Sequence, residues 1–246
     1  MFEPRLALAS LSGQSDVGWA KQGSPYAGAA FLGGIAIDAE TRRAAKQLIE
    51  RDRNEFLPAN PHAFIESQLA ALDTVPLRPA INVRTISVTP LERVAEICNE
   101  YNAIIEINAH CRQEEMCSVG AGESLLADVD RLSHYVSVAA ETGATVSVKT
   151  RAEVPDTNLC HVASAIESAG GEIIHVDAMD TESIIADINQ VSNCFIIANN
   201  GVRDRDSAAE YLSYGADAVS VGRPSDKPRI LEQIHQAVVD LTSPHP

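Results

Sequence analysis

The sequence reads as one (β/α)₈ barrel, the TIM-barrel architecture, occupying residues 1–246 as a single domain. Three observations carry that reading. Short apolar runs and amphipathic segments alternate from one end to the other, eight of each. Most of the apolar runs are near-continuous, as expected of parallel strands covered on both faces. A length of 246 residues also suits such a barrel, whereas the competing open doubly wound sheet usually has fewer strands.

In order, strand 6–10 is followed by strand 31–37, and then by amphipathic helices at 39–52 and 61–72. Strand 80–84 leads to helix 90–101, where Thr89-Pro90 reads as an N-cap with proline at the first helical position. Strand 104–108 leads to helix 129–141, and strand 145–149 to helix 158–169. Strand 172–176 leads to helix 181–191, strand 194–198 to helix 206–214, and strand 216–221 to helix 227–241. Gly143, Gly170 and Gly215 sit just past helix ends, the usual position of a C-terminal stop. No linker, low-complexity stretch or repeat interrupts the pattern.

The chain carries 34 acidic and 19 basic side chains, for a net charge of −15, and only four of the basic ones are lysine (Lys21, Lys46, Lys149, Lys227). Such a balance suits a salt-adapted cytoplasm and disfavours non-specific binding to a polyanion, which needs neutralising cations. The five cysteines, Cys98, Cys111, Cys117, Cys160 and Cys194, are odd in number and contain no CxxC, which argues for a reducing, cytoplasmic setting. No apolar run reaches the ~18 residues of a membrane span, and the first 20 residues lack a signal-peptide pattern.

In this architecture chemistry sits at the carboxyl ends of the strands. The polar residues there are Ser10, Asp38, Asn82, Asn108 to Cys111, Lys149, His175, Asp177, Asn199 to Gly201, Gly222 and Arg223. Ile196-Ile197-Ala198-Asn199-Asn200-Gly201 and Ser220-Val221-Gly222-Arg223 each end a strand in a glycine turn. Loops after strands seven and eight are the habitual phosphate site of barrels, with Arg223 adding a charge-assisted contact. The alternative is that these glycines only close tight turns. Lys149 ends its strand where it must face solvent, pair with a carboxylate or meet an anionic ligand. Cys111 is either a small buried hydrophobe or an acid/base group in the mouth. Cys98 and Cys194 read as core, Cys160 as structural, and the spacing of His110, Cys111 and Cys117 fits no standard zinc pattern, so no metal is expected.

These residues carry a resemblance. Asn108-Ala109-His110-Cys111, eleven residues before Gly122 in Gly120-Ala121-Gly122-Glu123-Ser124-Leu125-Leu126, resembles the signature of dihydrouridine synthases. That family has Asn-x-Gly-Cys-Pro followed at this distance by Gly-(Ala/Ser)-Leu-Leu. Val146-Ser147-Val148-Lys149-Thr150-Arg151 is similar to its Val-x-Val-Lys-x-Arg strand, Asn200-Gly201 and Gly222-Arg223 to its two turns, and Ile81-Asn82-Val83 to its Val-Gln-Leu strand end. Residues 10–16 are weakly similar to its first loop.

The resemblance implies flavin mononucleotide (FMN), reduced by NAD(P)H. Asn200, Gly201, Gly222 and Arg223 would hold its phosphate, Lys149 and Asn82 would contact its ring, and Asn108 would position flavin or substrate. It further implies hydride transfer to a uracil-type double bond, with Cys111 protonating the neighbouring carbon. The substrate would be a pyrimidine, free or in tRNA.

The departures from the pattern are His110 for glycine, Arg112 for proline, and Val176-Asp177-Ala178-Met179 where the family has His-Gly-Arg. Asp177 stands in the column of that histidine, and an acid near a flavin phosphate would repel it unless turned away. The family's C-terminal helical tRNA-binding domain is expected to be missing, which together with the charge of −15 disfavours tRNA as substrate. The chain looks closer to a compact archaeal branch of flavin barrels. Two other readings are a dihydroorotate-dehydrogenase-like flavoenzyme and a barrel without redox chemistry that binds a phosphate ligand or associates with RNA.

Overall fold

A computed structural model describes residues 1–243. Eight parallel strands close into a barrel in sequential order: β1 (Leu6–Leu8), β2 (Ala29–Ala36), β3 (Arg78–Arg84), β4 (Ile104–Asn108), β5 (Thr145–Arg151), β6 (Ile173–Asp177), β7 (Phe195–Asn199) and β8 (Ala218–Val221). Helix α1 (Val17–Gly23) follows β1, while α2 (Ala39–Glu50) and α3 (Pro61–Ala70) both follow β2. Helix α4 (Val88–Glu100) follows β3, and α5 (Glu114–Ser118), α6 (Glu123–Ala127) and α7 (Val129–Glu141) follow β4. Then come α8 (Leu159–Ser168), α9 (Ile184–Val191) and α10 (Arg205–Ser213), one after each of β5 to β7. A 3₁₀ turn at Arg223–Asp226 and α11 (Pro228–Thr242) complete the ring.

The two-residue period of the strands sorts their side chains. Leu6, Leu8, Leu32, Ile81, Val83, Ile105, Val148 and Ile174 join the core shared with the helices. The other phase points into the barrel, and its lower layer is apolar: Ala7, Ala29, Phe31, Ala80, Ile104, Ile173, Ile197 and Ala218. Continuing that phase toward the carboxyl ends, the inward residues turn polar yet stay buried: Asn82, Glu106, Ser147, His175 and Ser220, then Asn108, Lys149 and Asn199. The closed lower layer thus forms a dry floor beneath a polar mouth.

All eight expected strands are present, with shifts at the ends. The expected start of α4 is corrected. Ser87, without a side-chain cap bond, stands at its N-cap, and Pro90 is its third residue. Any of the first N–H groups of a helix lacks an internal partner, so proline marks the first turn rather than its first residue. Gly143, Gly170 and Gly215 do follow helix ends with φ of 84°, 95° and 97°. Helices α1, α5 and α6 fall where the sequence reading had loops. No helix among the described residues is long and apolar enough to cross a membrane.

Candidate active site at the barrel mouth

The floor of the mouth is built on Glu106, whose side chain is fully buried. One carboxylate oxygen accepts from Asn82 Nδ2 at 2.7 Å; the other accepts from His175 Nδ1 at 2.7 Å and Ser147 Oγ at 3.1 Å. Burial pushes the Glu106 carboxyl up, but His175, Lys149 and the Asn82 hydrogen bond outweigh it and hold the group below the usual carboxylate range. Burial likewise lowers His175, against the pull of Glu106. The carboxylate is therefore ionised, and His175 Nδ1 donates to it. His175 Nε2 meets the Ser220 hydroxyl at 2.8 Å, which meets the Asn199 amide at 2.8 Å. Lys149 is 2% exposed, and burial lowers its pKa while Glu106 and Asp177 raise it. Its Nζ has one protein partner, Ser10 Oγ at 3.5 Å, which leaves donor capacity for a ligand.

Above this floor lies the cysteine loop. Asn108 Nδ2 donates to Asn82 Oδ1 at 2.9 Å, so Asn108 Oδ1 is free to accept from the backbone N–H of Cys111 at 3.2 Å and of His110 at 3.4 Å. Segment 120–126 closes over the loop: Glu123 N donates to the Cys111 carbonyl at 3.0 Å, as does the Cys117 thiol at 3.4 Å. A Cβ on Gly122 would lie 2.1 Å from that carbonyl oxygen, which explains a glycine with φ of 61° there. His110 Nδ1 lies 3.2 Å from Asn108 Oδ1. Burial and the cations Lys149 and Arg84 hold His110 well below the ordinary imidazole value. The neutral ring therefore carries its proton on Nδ1, and Nε2, with no protein partner among the described residues, is left as an acceptor. Arg84 forms a buried ion pair with Glu55 and donates to Ser12.

On the far side, Asn200 and Gly201 adopt φ of 71° and 77°, making the turn after β7. Tyr211 Oη donates to the Asn200 carbonyl at 2.8 Å. The first turn of α10 is closed by an Asp204–Ser207 capping box, so an anion here would be held by the turns and the cations rather than by that helix. Arg223 has no hydrogen-bond or carboxylate partner among the described residues.

Two connected cavities occupy the mouth. One of about 400 Å³ is lined by Lys149, Asn199, Asn200, Gly201, Gly222 and Arg223. The other, about 840 Å³, is lined by Asn108, Cys111, Arg84, Asp177, Asn200 and Arg223 among others. Ser10, His110, Asn200 and Arg223 line both. Thus seven of the eight residues expected to form a site face one mouth. Asn82, fully buried beneath Asn108, faces neither cavity. Asp177 does reach the cleft, where its Oδ1 accepts from Asn200 Nδ2 at 3.1 Å. Sequence reasoning missed Glu106, Arg84, Arg53 and Arg151. An acid inside the apolar run Ile104–Asn108 was the available signal for Glu106. No group of three or more metal-ligating side chains occurs among the described residues. Unmet donors on Lys149 and Arg223 beside two glycine turns suit an anionic group such as the phosphate of FMN.

Known proteins resemble the chain in sequence and in fold. The dihydrouridine synthase family model matches residues 80–246. An uncharacterized protein of Methanocaldococcus jannaschii is 25% identical over 239 residues, covering 90% of this chain and 89% of its own. Among solved structures, FabK of Thermotoga maritima superposes with a TM-score of 0.60 at 14% identity, over 90% of this chain but 61% of its own length. Morphinone reductase, in complex with tetrahydroNAD, superposes with a TM-score of 0.65 at 13% identity, over 98% of this chain and 88% of its own. At such identities these structures speak to the barrel alone.

Proposed function

Because the chain belongs to the dihydrouridine synthase family, we propose that it is an FMN-dependent oxidoreductase that reduces a uracil-type carbon–carbon double bond, with NAD(P)H as electron donor. The observation that carries this reading is that Cys111, Lys149 and Arg223 line one continuous mouth, with the glycine turns after β7 and β8 on its cationic side.

Bound FMN supplies the hydride chemistry that no side chain can. Gly201, Gly222, Asn200 and Arg223 would hold its phosphate, and Lys149 would direct its ammonium toward electron-rich ring atoms. Asn108 fixes the cysteine loop through the Cys111 N–H. Cys111 would act as general acid: its S–H bond breaks as the proton passes to the carbon next to the one that takes the hydride. The thiolate left behind would have Arg84 as a cationic neighbour, whose charge Glu55 holds against the cost of burial. Solvent reaching the cleft returns the proton. Asn82, bonded to both Glu106 and Asn108, supports this arrangement from below rather than touching a ligand.

The test is the absorbance of the purified protein near about 450 nm, the flavin band, followed by titration of apoprotein with FMN. FMN should bind, and Arg223→Ala should weaken it about ten- to a hundredfold, the loss of one charge-assisted hydrogen bond. Absence of binding even at high salt, where surface repulsion is screened, would overturn the reading in favour of a barrel without redox chemistry.

A further inference from the structure

Five of the fifteen arginines make no side-chain hydrogen bond or ion pair among the described residues: Arg53, Arg112, Arg151, Arg223 and Arg229. Four of these five line the same 840 Å³ cleft as Cys111. The other ten are tied to carboxylates, carbonyls or hydroxyls, as Arg43 is to Glu40, Arg205 to Asp240 and Arg42 to the Pro58 carbonyl. The concentration is notable in a chain with 34 acidic and 19 basic side chains. Arginines 53, 84, 112, 151 and 223 face the cleft against the four carboxylates of Asp52, Glu153, Asp177 and Asp180. Among these acids, Asp177 already accepts from Asn200.

Arg53 and Arg112 line only the larger cavity, whereas the smaller one contains the turns after β7 and β8. Both are exposed at the rim of that cavity, and neither is among the residues assigned to the cofactor phosphate. Free guanidinium forks match phosphate oxygens two at a time. Arg112 follows the reacting cysteine directly, so an anion held there leaves the rest of its molecule beside the thiol. With the mouth positive, the remaining surface is more negative than the chain's −15, which opposes a long polyanion but not a single phosphate inside the cleft.

We propose that the outer cleft binds a phosphorylated pyrimidine nucleotide as a free small molecule, with its phosphate on Arg53 and Arg112 and Arg151 completing the cationic rim. The pyrimidine part of this assignment rests on the oxidoreductase reading; the phosphate part does not. A cleft of this volume lies within the range of small-ligand sites, about 300–1,000 Å³.

The experiment uses the full chain as purified and needs no turnover. Binding of uridine 5′-monophosphate and of uridine is measured by calorimetry, and the flavin spectrum of each sample is recorded alongside. The nucleotide should bind at least tenfold more tightly than uridine. In the Arg53→Ala/Arg112→Ala variant that ratio should collapse toward one, while Arg229→Ala, the unpartnered arginine outside the cleft, should keep it. If the double variant does not fold, Arg112→Ala alone should still cut the ratio several-fold. In samples that turn over, the nucleotide's kcat/KM advantage should fall through KM rather than kcat.

Equal affinity for uridine and its monophosphate would overturn the proposal, even with flavin bound and the enzyme active. An unmodified tRNA transcript reduced with a higher kcat/KM than the nucleotide would overturn it too. Arginine-dependent nucleotide binding in a protein that takes up no FMN on titration, even at high salt, would leave the phosphate subsite standing and remove the oxidoreductase reading instead.

Discussion

Asn108 determines what two neighbours present to the cleft, since its Oδ1 takes the backbone N–H of both His110 and Cys111. Cys111→Ala should keep FMN affinity and flavin reduction but lose substrate reduction by about a hundredfold or more, the usual worth of a positioned acid. Cys117→Ala is the control, expected to be mild because Cys117 lines neither cavity of the mouth. Equal losses in both variants, read by single-turnover oxidation of the reduced enzyme, would mean a structural pair. The imidazoles of His175, buried, and His110, half-buried, make a separate prediction. His110 and His175 both bind protons more weakly than the unfolded chain does. Their contribution to stability is therefore full above about pH 6.5 and lost as the pH falls toward their lowered folded values. Denaturant midpoints measured across that window should drop, and nitrogen NMR of His110 should report a neutral Nδ1–H ring near pH 6.5; a protonated ring there would sink the assignment. At this scale the sequence was readable where a residue ends a strand. It was blind to Arg53, which reaches the cleft from the loop after α2, because no local pattern encodes which distant loop leans over a barrel mouth.

At the scale of the elements, the strands were legible because burial on both faces writes a nearly unbroken apolar run, and the long helices because one face stays apolar. The short α1, α5 and α6 were not. α1 is recognisable only through the Asp16 side chain accepting from Trp19 N at 3.0 Å, and five-residue helices hold no full period. The Asn82 side chain, one step lower along the inward phase, lies beneath the cavities and bonds Glu106 and Asn108. The segment from Asn108 to Leu126 folds back on itself, and Gly122 is where it packs on the Cys111 carbonyl. Gly122→Ala combines an unfavourable φ with a 2.1 Å clash on backbone. It should destabilise the fold by about 1–3 kcal/mol, seen as a lower thermal midpoint. Turnover should fall further than FMN affinity, because the displaced element carries the acid and not the phosphate turns. An unchanged midpoint would mean that the segment does not close over the cysteine.

For the whole molecule, two electrostatic effects of opposite sign compete. Exposed pairs such as Arg43–Glu40, Arg93–Glu96 and Arg205–Asp240 are each worth at most about 1 kcal/mol and weaken as salt screens them. Against them stands the self-repulsion of a chain with net charge −15, which acts between many groups at once and is also relieved by screening. Raising KCl from about 0.1 M to about 1 M shortens the screening length from roughly 10 Å to roughly 3 Å. The pairs lie within 4 Å and keep part of their attraction, while repulsions across the surface span longer distances and are lost almost entirely. Repulsion should therefore lose more, and the thermal midpoint should rise with KCl. Chloride is the informative anion, since sulfate would stabilise by exclusion from the surface whatever the charge. A midpoint that falls with KCl would mean that the ion pairs outweigh the net charge, and the surplus of acidic residues would then need a reason other than adaptation to salt.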